Sequence, residues 1–212
     1  MVEVRPAQRW LARRPGDGFS SPLHAFKFIE ADAMSLKSLS AGHVVCIRIE
    51  NTEIVDERAT IRAIIAAAFG RSDEADLVDK LRADEHALIS LVALLDGGIV
   101  GHIMFSRMWI NTPSGLVSAV ALAPLAVLPE HQRKGIGGLL IRHGLDLLRG
   151  RGERIVIVVG DPDYYPRFGF SPDKAKLLES PFPAEAFMAM ELSAGALDEM
   201  QGRVVYPQAF GI

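Results

Sequence analysis

Hydrophobic residues along this 212-residue chain change their spacing in a regular order from position 44 onward. Residues 44–49 form an apolar run of strand length. Ile54, Ile61, Ile64, Ile65, Ala68 and Phe69 then recur at helical intervals, and Gly70 is placed to end that helix. A second helical pattern covers 74–83, with Leu77, Val78 and Leu81 facing inward. Residues 88–95 and 99–110 flank Asp96-Gly97-Gly98, which predicts a hairpin. Thr112-Pro113-Ser114-Gly115 makes a second turn into a strand over 117–128. Ile136, Leu139, Leu140, His143 and Leu147 mark one face of a helix that stops near Arg149-Gly150. The apolar run within 154–159 predicts a strand covered on both faces. A short turn or helix over 161–168 and two late strands, 187–192 and 203–206, complete the chain. The order is β-α-α-β-β-β-α-β-α-β-β. Hairpins combined with one strand–helix–strand crossover predict an α/β layered domain with a mixed sheet over residues 44–212.

Residues 1–43 show no such period. Arg5, Arg9, Arg13 and Arg14 lie among Pro6, Pro15, Gly16, Gly18 and a Ser20-Ser21-Pro22 break. This stretch is expected to be an N-terminal extension, either mobile or translated upstream of the natural start, with Met34 as a later start. Glu3 and Asp17 are atypical of an organelle transit peptide.

Composition narrows the function classes. Hydrophobic residues make up 49% and charged residues 23%, an ordinary globular balance. A net charge of −3 gives no basic field for nucleic acid. The single cysteine, Cys46, rules out an internal disulfide framework and a multi-cysteine zinc site. The six histidines lack metal-ligand spacing, so no metal is expected. No apolar run approaches bilayer length and no secretory signal pattern opens the chain, so a cytoplasmic protein without a membrane partner is expected.

The richest segment reads Leu122-Ala123-Pro124-Leu125-Ala126-Val127-Leu128-Pro129-Glu130-His131-Gln132-Arg133-Lys134-Gly135-Ile136-Gly137-Gly138. A strand, a glycine turn with two cations and a helix N-terminus hold phosphate well, because first-turn N–H groups lack helical partners and the dipole favours negative charge. The dipole alone is worth roughly 0.3–1 kcal/mol, so hydrogen bonds must carry most of the affinity. Gly137 and Gly138 lack Cβ and would let a ligand approach the backbone. A dinucleotide fingerprint would need glycine where Leu140 stands, and a P-loop would need its lysine after the glycine rather than at Lys134. A purely structural glycine turn stays open on the glycines alone.

Gln132-x-x-Gly135-x-Gly137 resembles the Gln/Arg-x-x-Gly-x-Gly/Ala signature of the GNAT superfamily of N-acetyltransferases. Leu125-Ala126-Val127-x-Pro129 resembles that family's fourth strand, and Tyr164-Tyr165-Pro166-Arg167-Phe168-Gly169-Phe170 its Phe/Tyr-Tyr-x-x-x-Gly-Phe segment. The likeness covers roughly residues 44–210 and is nearest a bacterial branch of predicted acetyltransferases. It implies a mixed, mostly antiparallel twisted sheet flanked by helices. It also implies acetyl-CoA as cosubstrate and direct attack by a primary amine in a ternary complex. The acceptor, a small molecule or a protein amine, is left unidentified. A homodimer, common in the family, is left open as well.

By the same resemblance, backbone amides of Arg133, Lys134, Gly135, Ile136, Gly137 and Gly138 take the pyrophosphate. Leu125, Ala126 and Val127 pair with the pantetheine arm as one more strand would. An N–H near Leu125 or Ala126 would serve the developing oxyanion, with Pro124 marking a break in the ladder. Tyr165 is the expected catalytic residue, hydrogen-bonding the leaving thiolate; Tyr164 is expected to pack. Glu74, Glu85, Asp161 and Asp163 are candidate bases by location only, and none is assigned. Arg167 is expected in an intramolecular ion pair with a carboxylate, with a 3′-phosphate as the alternative partner. A loop with Pro181, Phe182 and Pro183 is a candidate edge of the acceptor cleft. The alternative reading is a non-catalytic acyl-CoA-binding or regulatory module.

Overall fold

The computed structural model describes residues 35–38, 44–50 and 55–212. Two strands open it, β1 (Ser35–Ser38) and β2 (Val44–Ile49), followed by the helices α1 (Val55–Phe69) and α2 (Asp73–Ala83). Three long strands come next: β3 (Ala87–Leu95), β4 (Gly98–Thr112) and β5 (Gly115–Val127). Then follow α3 (Ile136–Gly150), β6 (Ile155–Val159), the single-turn α4 (Pro172–Ala175), β7 (Leu178–Glu179), β8 (Phe187–Glu191) and β9 (Gly202–Val205). The expected order is therefore present, its turn over 161–168 containing the 3-10 turn Tyr165–Phe168, with three additions, β1, α4 and β7. β1 lies inside the stretch read as an extension and pairs antiparallel with β2, from Ser35 against Ile47 to Ser38 against Val44. The rest of that stretch, and Ile54, fall outside the described residues.

The nine strands form one sheet in the order β1-β2-β3-β4-β5-β6-β8, with β9 joining β4 and β7. All pairs are antiparallel except β5 with β6 and β7 with β9. Asp96 and Gly97, both at positive φ (50° and 84°), form the two-residue turn whose twist suits a hairpin. α1 and α2 cover one face of the sheet, where Ile61, Ile65, Leu77, Val78 and Leu81 pack on Val92, Met104 and Met108. α3 covers the other, packing Ile136, Leu140, Ile141, Leu145 and Leu148 on Ile103, Phe105, Val120 and Val156.

The buried stripe of α3 differs from the one expected. Leu139, His143 and Leu147 are only half-buried, whereas Gly138, Ile141, Gly144, Leu145 and Leu148 are fully covered. Two glycines explain the rotation. A Cβ at Gly144 would stand 2.1 Å from the Phe105 ring, so the helix backbone itself lies against that side chain. Hydropathy counting overlooks a stripe that is partly bare backbone.

The end of the pairing between β5 and β6 positions the site. β5 is 13 residues long, yet its parallel pairing with β6 comprises only Val120 with Val156 and Ala121 with Ile157. Along β4 the register slips between Ile103–Leu125 and Phe105–Leu122, so two β5 residues, Ala123 and Pro124, stand against Met104 alone and β5 bulges. The slip falls at Ala123-Pro124, where the sequence predicts a break. Beyond it β5 has no strand on its β6 side among the described residues, and the two strands part.

Candidate active site

The opening between β5 and β6 is a cleft. Its walls are 121–125 of β5 and Ile157 and Val159 of β6, with Phe69, Glu74, Tyr165, Phe182, Tyr206 and Phe210 closing it. These residues come from six separated segments. Their assembly depends on the splay of two strands, a property no local pattern records. Of the expected residues, Leu125, Tyr165 and Phe182 reach the cleft. Of the four candidate bases, only Glu74 does. Glu85 is exposed in the turn after α2, Asp163 is exposed, and Asp161 accepts the Asp163 amide at 2.8 Å.

Glu74 sits in the first turn of α2 and is 1% exposed. Arg71 holds its carboxylate: Nε donates at 3.1 Å to each oxygen, and Nη2 makes a closer bond to Oε1. Tyr165 enters from the segment after β6. Its ring crowds Gly160, where a Cβ would meet Cε2 at 2.1 Å, and lies edge-on to Phe170 and Tyr164 at centroid separations of 5.8 and 5.2 Å. Its hydroxyl has no hydrogen-bond partner among the described residues. Burial, with smaller contributions from Tyr164 and Asp161, raises its pKa well above the ordinary phenol value. At neutral pH Tyr165 is a neutral O–H donor and no base. Burial raises the Tyr206 phenol in the same way.

The glycine turn lies at the far end of β5. Gln132 donates from Nε2 to the Val127 carbonyl at 3.0 Å, which ties the turn back to the strand. Arg133 and Gly135 both hold left-handed backbone, φ 59° and 87°. Such residues rotate neighbouring N–H groups toward one side, as in anion-binding nests. Arg133, Lys134 and Gly135 are exposed, and α3 begins without a side-chain cap or an acidic residue in its first turn. α2 is built the other way, with Asp73, Glu74 and Asp76 in its first turn. The positive end of one helix is met by carboxylates within the protein; that of the other has none in its first turn.

Gly137 and Gly138 are also packing positions. A Cβ at Gly137 would lie 2.9 Å from the Tyr164 hydroxyl, and one at Gly138 3.3 Å from the Phe168 ring. The space beside the first turn is thus filled by the aromatic segment. Tyr164 packs as expected, and its hydroxyl reaches the start of α3. Arg167 makes no ion pair among the described residues: its guanidinium stacks on the Tyr164 ring, 4.3 Å from the centroid, and Nε donates to the Tyr164 carbonyl at 3.1 Å. Among the described residues no three His, Cys, Asp or Glu side chains gather as a metal site, and no helix is long and apolar enough to cross a membrane.

An anion-ready helix start, a strand with one unpaired edge and a cleft at that strand's bulge form one continuous track. The family model for the Acetyltransferase (GNAT) domain matches residues 53–172. The uncharacterized N-acetyltransferase YjhQ of Escherichia coli K12 is 44% identical over 134 residues, 61% of this chain and 74% of that protein. YhbS of the same strain, likewise an uncharacterized N-acetyltransferase, is 33% identical over 161 residues, 74% of this chain and 95% of its own length. A crystal structure of YhbS in complex with CoA superposes with a TM-score of 0.71 at 29% identity, covering 88% of this chain and 97% of that one. A GNAT acetyltransferase from Brucella melitensis, solved with acetyl-CoA, superposes at 0.65 with 37% identity, covering 78% and 97%.

Proposed function

This chain belongs to the GNAT acetyltransferase family, and from that premise we propose that it transfers acetyl from acetyl-CoA to a primary amine by direct attack in a ternary complex. It is an acetyl-CoA-dependent N-acetyltransferase. The observation that carries the residue-level reading is the parting of β5 from β6 after Ala121, directly upstream of an uncapped helix start. We place the pyrophosphate on the backbone amides of Arg133–Gly138, in a turn whose Arg133, Lys134 and Gly135 are exposed. The free edge of Leu125, Ala126 and Val127 takes the pantetheine amides as an added strand. The bulge at Pro124 turns an N–H toward the thioester oxygen, where a preorganised donor stabilises the tetrahedral oxyanion.

Tyr165 donates its phenolic hydrogen bond to the departing sulfur. Its raised pKa suits that role, because the proton stays on oxygen while the thiolate, with an ordinary value near ~8.5, takes up charge. A protonated phenol with no protein partner in the cleft supports turnover over a module that only binds acyl-CoA. Residues 44–212 form the transferase domain and 1–43 an extension that lends the sheet an edge strand. A cytoplasmic location, where the lone Cys46 would stay reduced, and a homodimer, common in the family, complete the reading.

Acetyl-CoA or CoA at about 100 times Kd is expected to add ~2.7 kcal/mol of stability, read as a thermal shift that ATP and NAD do not produce. Absence of protection would overturn the reading, and protection without thiol release for any amine would favour the binding module. Tyr165→Phe is expected to lower kcat about tenfold to a hundredfold with CoA affinity unchanged, measured by thiol release and calorimetry. An unchanged kcat would remove Tyr165 from the chemistry.

A further inference from the structure

The cleft carries information about the acceptor, a step that rests on the transferase reading and deepens it. Among the described residues, Glu74 is the only charged side chain that lines it. Arg71, which holds Glu74, is not part of the lining. Glu74 Oε2 receives a single bond from Arg71, at 3.1 Å, and keeps lone pairs for another donor. Around this carboxylate the surface is aromatic and aliphatic. Phe182 meets Tyr206 edge-on at 5.8 Å, and Tyr206 leans on Phe210 at 4.9 Å. The hydroxyls of Tyr165 and Tyr206 have no hydrogen-bond partner among the described residues, and both phenols stay neutral because burial disfavours their charged form.

We propose that the acceptor is a small monoamine with an apolar, preferably aromatic body and no carboxylate, its ammonium anchored by Glu74. An alkylammonium has three N–H donors. One carboxylate oxygen and two phenolic oxygens are the side-chain acceptors the described lining offers, and aromatic faces favour a desolvated cation. The wall formed by Phe182, Tyr206 and Phe210 takes the hydrocarbon. An amino acid brings a second carboxylate toward Glu74 with no cation among the described lining residues to meet it. A polyamine or aminoglycoside brings further ammonium groups into an apolar wall where they would stay unpaired.

The chemistry balances with these groups. The ammonium gives one proton to Glu74, which passes it to solvent. The freed nitrogen lone pair forms a bond to the thioester carbonyl carbon, and the carbon–sulfur bond breaks. The second proton lost from nitrogen ends on the CoA sulfur, so the products are the N-acetyl amine, free CoA thiol and one proton in solution.

The test is thiol release by the full chain with acetyl-CoA and 2-phenylethylamine, phenylalanine, spermidine, kanamycin and a lysine-containing peptide. The expected kcat/KM for 2-phenylethylamine exceeds that of each other amine at least a hundredfold. 2-Phenylethanol, the same body without the ammonium, is expected not to compete. Glu74→Gln is expected to raise KM for 2-phenylethylamine at least tenfold while acetyl-CoA still protects the variant against heat, which also shows that it folds. Equal or better turnover of phenylalanine, spermidine, kanamycin or the peptide overturns the proposal. So does acetyl-CoA binding with no acetylation of 2-phenylethylamine. Failure of acetyl-CoA to bind the unmodified chain overturns the transferase reading instead, which keeps the two failures apart.

Discussion

Replacing Glu50 by alanine is expected to cost about 3–5 kcal/mol, the loss typical of leaving one partner of a buried ion pair uncompensated. Glu50 follows β2, and its side chain is sealed beneath α2 and the sheet. Arg82 Nη2 lies 2.6 Å from each carboxylate oxygen. The Ser90 hydroxyl donates to Oε2, and Ser90 Oγ is 2.8 Å from His102 Nε2. The hydrogens are consistent in one direction: His102 Nε2–H to Ser90, Ser90 O–H to Glu50. His102 Nε2 is 3.8 Å from the carboxylate itself, too far for a direct bond, so Ser90 bridges them. Against a typical total of about 5–15 kcal/mol, this one substitution removes a large share of stability. Urea unfolding at pH 7.5 measures it. A loss below about 1 kcal/mol would show that the cluster is dispensable.

The same cluster sets an acid limit. Burial by itself would raise the Glu50 carboxyl, but His102, reaching it through Ser90, together with the hydrogen bonds of Ser90 and Arg82, outweighs that and holds it at about 2, below the ordinary 4.5. Its contribution is therefore complete above pH 4.5 and fades as pH falls toward 2. Burial lowers the His102 pKa below its ordinary 6.5 despite the pull of Glu50. The unfolded imidazole binds its proton first, so stability also declines as pH falls below 6.5. Unfolding free energy is expected to drop in both windows, and Glu50→Gln to flatten the lower one.

How far the chain announces itself depends on whether a feature is local. The Asp96-Gly97 turn, the α1 stripe of Ile61, Ile64 and Ile65, and the cation-bearing glycine turn at Arg133–Gly138 were legible because each is decided within a few residues. Tyr165 was legible through a motif with fixed spacing. The Glu50–Arg82–Ser90–His102 cluster was not, since its members come from four separate segments and each alone reads as an ordinary polar position. Glu74 had no more claim than Glu85 or Asp161 until the splay of β5 and β6 opened the sheet beside it. Ser35–Ser38 carries no alternation that marks a strand; β2 supplies the edge that it pairs with.

Gly144 joins fold and function most directly, and Gly144→Val is expected to cost about 4 kcal/mol, beyond the usual range for overpacking. Helix propensity argues the other way, since valine is better than glycine inside a helix by a few tenths of a kcal/mol. Sterics decide. A Cβ there would lie 2.1 and 2.5 Å from two Phe105 ring atoms, and valine adds two further carbons. Phe105 has no exposed surface and is hemmed in by the core of the α3 face, so its ring has nowhere to turn. The helix must rise instead. Ile136, at its start, lies eight residues upstream, about 12 Å along the axis, and moves with it. Acetyl-CoA affinity is therefore expected to fall together with stability, although Gly144 is far from any ligand-facing amide. Phe105→Ala alone removes a large buried ring and should cost about 3–5 kcal/mol. Combined with Gly144→Val it vacates the space the valine needs, so the double variant is expected to be at least ~2 kcal/mol more stable than the two losses added together. Additive losses, or a Gly144→Val protein as stable as the parent, would show that α3 does not rest on Phe105.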